Sequence, residues 1–297
     1  MMKHKQLDGL KVSSILLVAS GLLIFIISGL MWHNYVYMGD RRIFWDALNN
    51  ALSSQGVRKT IDLGSGGDIQ KQVIDFVFSP SIQSRGVVTI KNADSEAISE
   101  VLVFDNEDYA RYVTLTNPEP SALSEIVGQW AQTRSSRDID SQSLGQQLAN
   151  GPLVLVGNFN AQKRAELVDT IQSTNAYQLI GKSGTVTVNG KNLIVFKVQI
   201  EPNAYNVVLA KYVSMLGLSD TAAQISGSVS ASSSTLPVIE IAIDPVARDV
   251  VQAGYPSIGQ MGTETYELWG VAAKLQKPDS YLTIEQMQEK LNAIYAE

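Results

Sequence analysis

The chain has 297 residues, of which 45% are hydrophobic and 18% are charged, and its formal net charge is −6. This composition is typical of one or two globular domains and excludes a disordered or collagen-like chain. The sequence has no cysteine, which excludes disulfides, a thiol nucleophile and the modified cysteine of a bacterial lipoprotein. The two histidines, His4 and His33, precede the part with globular patterning, which argues against a Ser-His-Asp triad or a conventional zinc site.

An uncharged run of 20 residues, Val12 to Met31, lies near the N-terminus. As an α-helix that rises about 1.5 Å per residue, it would span about 30 Å, the hydrocarbon thickness of a bilayer. Aromatic residues follow at once, beginning with Trp32, as they do at membrane interfaces. The run therefore predicts an uncleaved transmembrane signal anchor that holds the chain in a lipid membrane.

Two other interpretations of this run stay open. A cleaved signal peptide would have an apolar region of about 7–15 residues and a small-x-small exit, whereas the exit here is bulky. A buried core helix is rarely apolar on every face. For an anchor, three basic residues precede the run and two follow it, which is a small difference, and the short N-terminal tail favours a single pass with a cytoplasmic N-terminus. The predicted order is a cytoplasmic tail at 1–11, the anchor at 12–31, a juxtamembrane segment at 32–39 and an extracytoplasmic domain at 40–297.

The predicted extracytoplasmic domain is acidic, with 20 basic and 28 acidic residues in 40–297. An acidic surface repels nucleic acid and anionic headgroups, and the sequence has no basic run with interleaved aromatic residues. We therefore expect no nucleic-acid partner.

The first half of this domain consists of short apolar segments separated by turn-rich breaks. A helix over Arg41–Ser54 comes first, because its apolar residues recur at i, i+3, i+4 spacing. Five strands follow in close succession, which predicts an antiparallel meander. They span Val57–Leu63, Ile69–Phe78, Gly86–Lys91, Ala97–Phe104 and Tyr109–Leu115.

The second half begins with predicted helices at Ser121–Ala131, Ser141–Leu148 and Ala161–Ser173, and a small strand at Leu153–Val156. Asn189-Gly190 then supplies the positive φ angles of a type I′ turn, which predicts a hairpin. Its arms are Tyr177–Ile180 with Thr185–Val188, and Lys191–Glu201. The remaining predictions are a helix from Pro202 to Leu216, a loop at Ser226–Thr235, strands at Val238–Asp244, Arg248–Ala253 and Gly262–Lys274, and a helix at Thr283–Ile294.

Chemically active motifs are nearly absent from the sequence. Gly64-Ser65-Gly66-Gly67 lacks the Lys-Ser/Thr of a P-loop and the spacing of a dinucleotide-binding fold. Asp105-Asn106-Glu107-Asp108 lacks the alternating oxygen ligands of an EF-hand loop. No serine lies in a Gly-x-Ser-x-Gly elbow. We therefore expect no enzymatic activity, no catalytic residue, no metal and no cofactor.

The order of elements resembles a known group of proteins. The features that carry the resemblance are the meander with Asp108-Tyr109-Ala110-Arg111-Tyr112, the Asn-Gly hairpin, and the strand Val238–Asp244 that returns at Arg248. This pattern is similar to the LolA/LolB and LppX/LprG superfamily of extracytoplasmic lipid- and lipoprotein-binding proteins. The resemblance implies an α+β fold, in which a strongly bent antiparallel half-barrel sheet is covered by helices on its concave side.

Two hypotheses on function follow. In the first, the chain is a membrane-tethered binding protein in the cell envelope, and its apolar ligand is a lipid or a lipoprotein acyl chain held in the hollow of the sheet. In the second, the sheet has a filled core, takes no small ligand, and serves as an interaction module that contacts another envelope protein. Under the first hypothesis the candidate lining residues are Ile194, Phe196, Val198, Ile239, Ile241 and Ile243 on the sheet, with Tyr205 and Tyr212 on the covering helix.

Overall fold

The computed structural model describes most of the chain. The described residues are 20–32, 39–64, 68–104, 107–116, 123, 125–134, 152–227, 236–256 and 262–295. The chain divides into two compact units, 1–45 and 46–297.

The helix α1 covers residues 20–32, and α2 covers Gly39–Ala51. Among the described residues, no helix is both long and apolar enough to cross a membrane. Residues 12–19 of the predicted anchor lie outside the described residues, and so does the predicted cytoplasmic tail. The anchor and the domain boundaries therefore stay predictions.

In the described residues twelve strands form one open, curved sheet, so the predicted α+β class with a curved and mainly antiparallel sheet is confirmed. In chain order the strands are β1 (Gly56–Asp62), β2 (Ile69–Val77), β3 (Gln83–Lys91), β4 (Glu96–Val103), β5 (Asp108–Leu115), β6 (Ala131–Arg134), β7 (Tyr177–Val188), β8 (Lys191–Ile200), β9 (Val238–Asp244), β10 (Asp249–Gly254), β11 (Thr263–Glu267) and β12 (Leu282–Thr283). Their order across the sheet is β12-β6-β5-β4-β3-β2-β1-β11-β10-β9-β8-β7. All neighbours are antiparallel except β6 and β12.

Four helices accompany this sheet: α3 (Ala161–Ser173), α4 (Pro202–Met215), α5 (Ser219–Gly227) and α6 (Ile284–Tyr295). The side chain of Asn160 caps α3 by accepting from the Lys163 amide. Glu201 caps α4 in the same way, with Pro202 in its first turn. Thr283 and Gln286 exchange backbone-to-side-chain hydrogen bonds at the start of α6 and so form a capping box.

Most predicted elements agree with the structure to within a few residues. The hairpin is confirmed, because Asn189 and Gly190 have φ angles of 50° and 77° and join β7 to β8. Its first arm is one strand with two bulges instead of two short strands. The sequence did not predict α5, β6 or β12, and the prediction at Ser141–Leu148 lies outside the described residues, as does most of Ser226–Thr235.

Three predicted elements were wrong. In the predicted helix Ser121–Ala131, Leu123 is helical, but residues 125–128 form turns and a bridge and Ala131 begins β6. Gly128, with φ of 82°, is incompatible with a helix that continues to Ala131. The strand predicted at Gly262–Lys274 ends at Glu267, because the next residues include Leu268 and Gly270 at positive φ. The third, Leu153–Val156, is not a strand but a buried extended segment, whose contacts are described below.

The two faces of the sheet differ in chemistry. We call the face that carries Phe196 the inner face. Directly opposed residues of antiparallel neighbours share a face. One inner-face row therefore runs from Phe196 through Ile241, Ala253, Glu264, Ile61, Gln72, Val88 and Ser99 to Tyr112. A ligand on this face would contact residues from both halves of the sequence.

The opposite, outer face carries a ladder of alternating charges over β1–β5. Its buried carboxylates, Asp75 and Glu100, lie between three arginines. The Arg85 Nε atom lies 2.5 Å from Glu100 Oε1, and Arg111 Nη2 lies 2.6 Å from Glu100 Oε2. Arg58 Nε lies 2.6 Å from Asp75 Oδ1. These ion pairs link the neighbouring strands from β1 to β5 across four strand pairings. Each of the two carboxylates has a cationic partner.

We expect acid to weaken the ion pairs of this charged ladder on the outer face. Burial alone would raise the pKa of Glu100, but hydrogen bonds from Arg85 and Arg111 outweigh it and hold the pKa below its ordinary value. The carboxylate therefore stabilises the fold above its unfolded-state pKa of about 4.3, and this stabilisation is lost as the pH falls through the folded-state pKa. We expect the free energy of unfolding in urea to fall more steeply below about pH 4.5 in the wild type than in Glu100→Gln. Equal slopes in the two proteins would contradict this role.

Candidate functional site

The six lining residues predicted on the sheet lie together on the inner face as three cross-strand pairs. The pairs are Ile194 with Ile243, Phe196 with Ile241, and Val198 with Ile239. All are fully buried at 0% exposure except Ile194, which is half-buried. The lining residues predicted on β8 therefore share one face, although Leu193 on the opposite face is also fully buried.

The two predicted covering residues lie on α4 and contact the chain around Leu153–Val156. Tyr212 donates a hydrogen bond of 2.7 Å to the carbonyl of Val156, and Tyr205 donates one to the carbonyl of Pro152. Tyr205 also stacks on Tyr177, whose hydroxyl donates to the carbonyl of Leu153 at 2.9 Å. This segment resembled a strand because it is apolar, but side chains satisfy its backbone carbonyls.

Burial raises the pKa of Tyr177, Tyr205 and Tyr212 above the ordinary tyrosine value. All three hydroxyls therefore stay protonated at neutral pH and act as hydrogen-bond donors. They fasten α4 and the extended segment over β7–β9. The predicted residues thus form one cluster, and their contact with a ligand stays a prediction.

A second inner-face row crosses the other half of the sheet. It runs from Tyr266 on β11 through Lys59, Ile74, Gly86, Val101 and Ala110 to Ala131 on β6. Its side chains are small from β3 to β6. At the β6 end, Ala131 packs with Met287 of α6 in a buried cluster. Helix α6 therefore covers one end of this row.

Gly86 lies in the middle of that row, within β3. It is buried, yet a Cβ atom built on it would meet no heavy atom within 4 Å in the described part of the chain, apart from its chain neighbours. Its cross-strand neighbour Val101, and Val88 on the same strand face, are half-buried. Glycine within a strand often marks a place where another group approaches the backbone closely. The inner face of β3 therefore has open space beside Gly86.

A buried polar cluster adjoins this row at β1 and β11. Lys59 and Glu264 are each 5% exposed, and the Lys59 ammonium lies 3.2 Å from Glu264 Oε1. Glu264 Oε2 accepts from the Leu153 amide at 3.1 Å and from the Tyr266 hydroxyl. The hydrogen bond and the negative charge of Glu264 add to burial in raising the pKa of Tyr266. The cluster joins the extended segment to the centre of the sheet.

Sequence reasoning missed Lys59, Glu264 and Gly86 as site residues. A signal for Lys59 was present, because it takes the middle place in the alternating apolar series Val57, Lys59, Ile61. A lysine on an apolar strand face indicates a buried charge that needs a partner. The partner could not be identified, since Glu264 lies 205 residues further along the chain.

Two concavities in the described part of the chain lie away from the inner face of β2–β5. One, of about 210 Å³, is on the outer face at β8–β11 and is lined by Val195, Glu240, Ala242 and Tyr255 among others. Another, of about 560 Å³, lies between α4 and α5 and is lined mostly by small and polar residues. Within the described residues, no group of three or more acidic or histidine side chains could hold a metal ion.

Comparisons with known proteins give a likeness in structure and none in sequence. No model of a known protein family matches the chain, and a search of curated proteins finds no match. The chain is similar to the crystal structure of LprF from Mycobacterium bovis, with a TM-score of 0.42 and 15% identity, over 81% of this chain and 97% of that one. It is also similar to the Mycobacterium tuberculosis lipoprotein LppX, with a TM-score of 0.39 and 12% identity, over 79% and 96%. Both belong to the LppX/LprG group that the sequence resembles, so that resemblance is confirmed as a likeness. At these scores it transfers no ligand and no residue role.

Proposed function

We propose that the chain is a membrane-tethered, extracytoplasmic, non-catalytic binding protein for an apolar ligand, a lipid or a lipoprotein acyl chain. The ligand lies against the inner face of β2–β5, beside Gly86. The observation that carries this proposal is the open space at Gly86, within the apolar part of the row that runs from Ile74 to Ala131. An acyl chain has the shape and chemistry to lie along a row of small apolar side chains.

The loss of stability that a glycine causes within a strand supports the same proposal. Glycine inside a strand lowers stability by about 0.5–1 kcal/mol relative to alanine. Gly86 has an ordinary strand backbone, since its φ angle is not positive, and the described residues leave space for a methyl group there. The backbone therefore does not require glycine at this position, whereas a ligand that approaches the strand does.

The alternative function is an interaction module in an envelope assembly, without a small ligand. The observation that favours it is the complete burial of five of the six paired residues on β8 and β9, all except Ile194, which is the pattern of a filled core. The two functions differ in what occupies the inner face of β2–β5.

A matched pair of variants tests the proposal. Val101 on β4 and Val73 on β2 are both half-buried valines, but Val101 is on the inner face and Val73 on the outer face. We expect Val101→Phe to lose most of the lipid that co-purifies with the full chain, with little loss of stability, because the new ring fills the ligand's space. Val73→Phe should keep the wild-type lipid content. Lipid is measured by mass spectrometry of extracts, and stability by urea unfolding.

The same pair distinguishes the alternative. If protein atoms fill the space, Val101→Phe overpacks the core and costs about 1–3 kcal/mol. Equal lipid content in all three proteins, together with such a loss of stability, would refute ligand binding at β2–β5. Detergent-bound lipid is common to the three preparations and cancels in the comparison.

Tethering has its own test. We expect the full chain to fractionate with membranes through residues 12–31, with 40–297 outside the cytoplasm. Protease added to intact spheroplasts should then degrade the C-terminal part of the chain. Full protection in spheroplasts, with degradation after lysis, would overturn the proposed topology.

A further inference from the structure

The opposite charges of Lys59 and Glu264 limit which head group the ligand can carry. Lys59 is buried on the inner face, and its Nζ atom lies 6.0 Å from the centre of the Phe76 ring on β2. It is the direct cross-strand neighbour of Ile74, which in turn neighbours Gly86. Lys59 is therefore in the same row as Gly86, one strand away from the β2–β5 part against which we place the acyl chain.

The Lys59 ammonium has more N–H donors than it has hydrogen-bond acceptors in the described part of the chain. A lysine ammonium carries three N–H donors. In the described part of the chain, Glu264 is the one acceptor within hydrogen-bond distance of Lys59. Burying a donor without an acceptor costs about 1–3 kcal/mol, so the position favours a further oxygen acceptor.

The pair also limits the charge of that acceptor. Glu264 already compensates the positive charge of Lys59, and Glu264 is itself held by the Leu153 amide and the Tyr266 hydroxyl. An added carboxylate or phosphate would bring an uncompensated negative charge beside the buried Glu264, which is unfavourable at low dielectric constant. A neutral carbonyl oxygen can accept from the ammonium without that cost.

We propose that the Lys59–Glu264 pair is a polar subsite that binds the ester carbonyl of a neutral acyl ester and selects it over free fatty acids and plain hydrocarbons. This inference rests on the proposed function, since it places the acyl chain of the ester along β2–β5. Lys59 donates to the ester, and Glu264 holds Lys59 in place and repels anions.

Photoreactive ligands test this selectivity on the full chain in membranes. Three octadecenyl probes with the same diazirine are compared: a methyl ester, the free acid and a hydrocarbon without oxygen. In the wild type, we expect the ester to label the protein at about ten- to a hundredfold lower concentration than the hydrocarbon, and the acid to label more weakly than the ester. Peptide mapping should place the label on β2–β5.

Two variants separate the head-group role from folding. Lys59→Met/Glu264→Gln removes both charges together, and such replacements are commonly tolerated. It should lower ester labelling to the hydrocarbon level and leave hydrocarbon labelling unchanged. Lys59→Arg keeps the donors and should keep the ester preference.

The outcomes are distinguishable. Ester and hydrocarbon labelling at equal concentrations in the wild type, or an ester preference that survives in the double variant, would overturn the subsite while the binding function stands. A stronger preference for the free acid would overturn the charge argument. No saturable labelling by any probe would overturn the proposed function itself.

Discussion

Replacing Glu264 by alanine is expected to lower the free energy of unfolding by about 3–5 kcal/mol, because it leaves the Lys59 ammonium buried without its counter-charge. The same change removes the acceptor for the Leu153 amide and the Tyr266 hydroxyl. Urea unfolding followed by circular dichroism measures the effect. This should be among the largest losses that a single substitution produces in this chain.

The control for this prediction is the double variant Lys59→Met/Glu264→Gln. Without either charge, its stability should be close to that of the wild type, since buried ion pairs contribute little net stability over neutral residues of similar size. If Glu264→Ala lowers the free energy of unfolding by less than about 1 kcal/mol, the pair behaves like an exposed ion pair. That result would contradict the placement of the pair in the buried centre of the inner face.

The second large effect is expected at Phe196. Its ring is fully buried and faces Ile241 across the β8–β9 ladder. Phe196→Ala should cost about 3–5 kcal/mol through loss of apolar contacts and creation of a cavity. The lipid content of the purified full chain should stay at the wild-type level, because the proposed ligand lies on β2–β5.

Val195→Ala is the matched control, since Val195 is the adjacent, half-buried residue on the outer face. It should cost much less. A different result would restore the site expected from the sequence: if Phe196→Ala loses lipid with little change in stability, the ligand contacts β8 and β9 after all.

The local pattern of the sequence was sufficient to predict most strands and the hairpin turn. Period-two alternation in Lys191–Glu201 indicated which side chains share a face, and Asn189-Gly190 indicated the turn. These signals arise within a few residues of each other. The pattern failed at Leu153–Val156, where apolar composition suggested a strand but the hydrogen-bond partners are tyrosines and Glu264 from distant segments.

The candidate site was harder to predict from the sequence than the strands were, for a related reason. Alternation shows that a face is buried but does not show whether helices, a ligand or both cover it. The open space at Gly86 depends on β2, β4 and the rest of the inner face, which no local window contains. The Lys59–Glu264 pair likewise depends on the register of β1 against β11.

That register has a consequence for the biogenesis of the protein. One edge of β1 pairs with β2, which follows it closely in the chain. Its other edge pairs with β11, which is synthesised much later. Lys59 and Glu264 are 205 residues apart, and ribosomes add about 5–20 residues per second, so this edge of β1 stays unpaired for about 10–40 s during synthesis. An unpaired strand edge is a template for wrong pairing with another chain. The nascent N-terminal meander is therefore the part of this chain that most needs a chaperone before its last strands arrive.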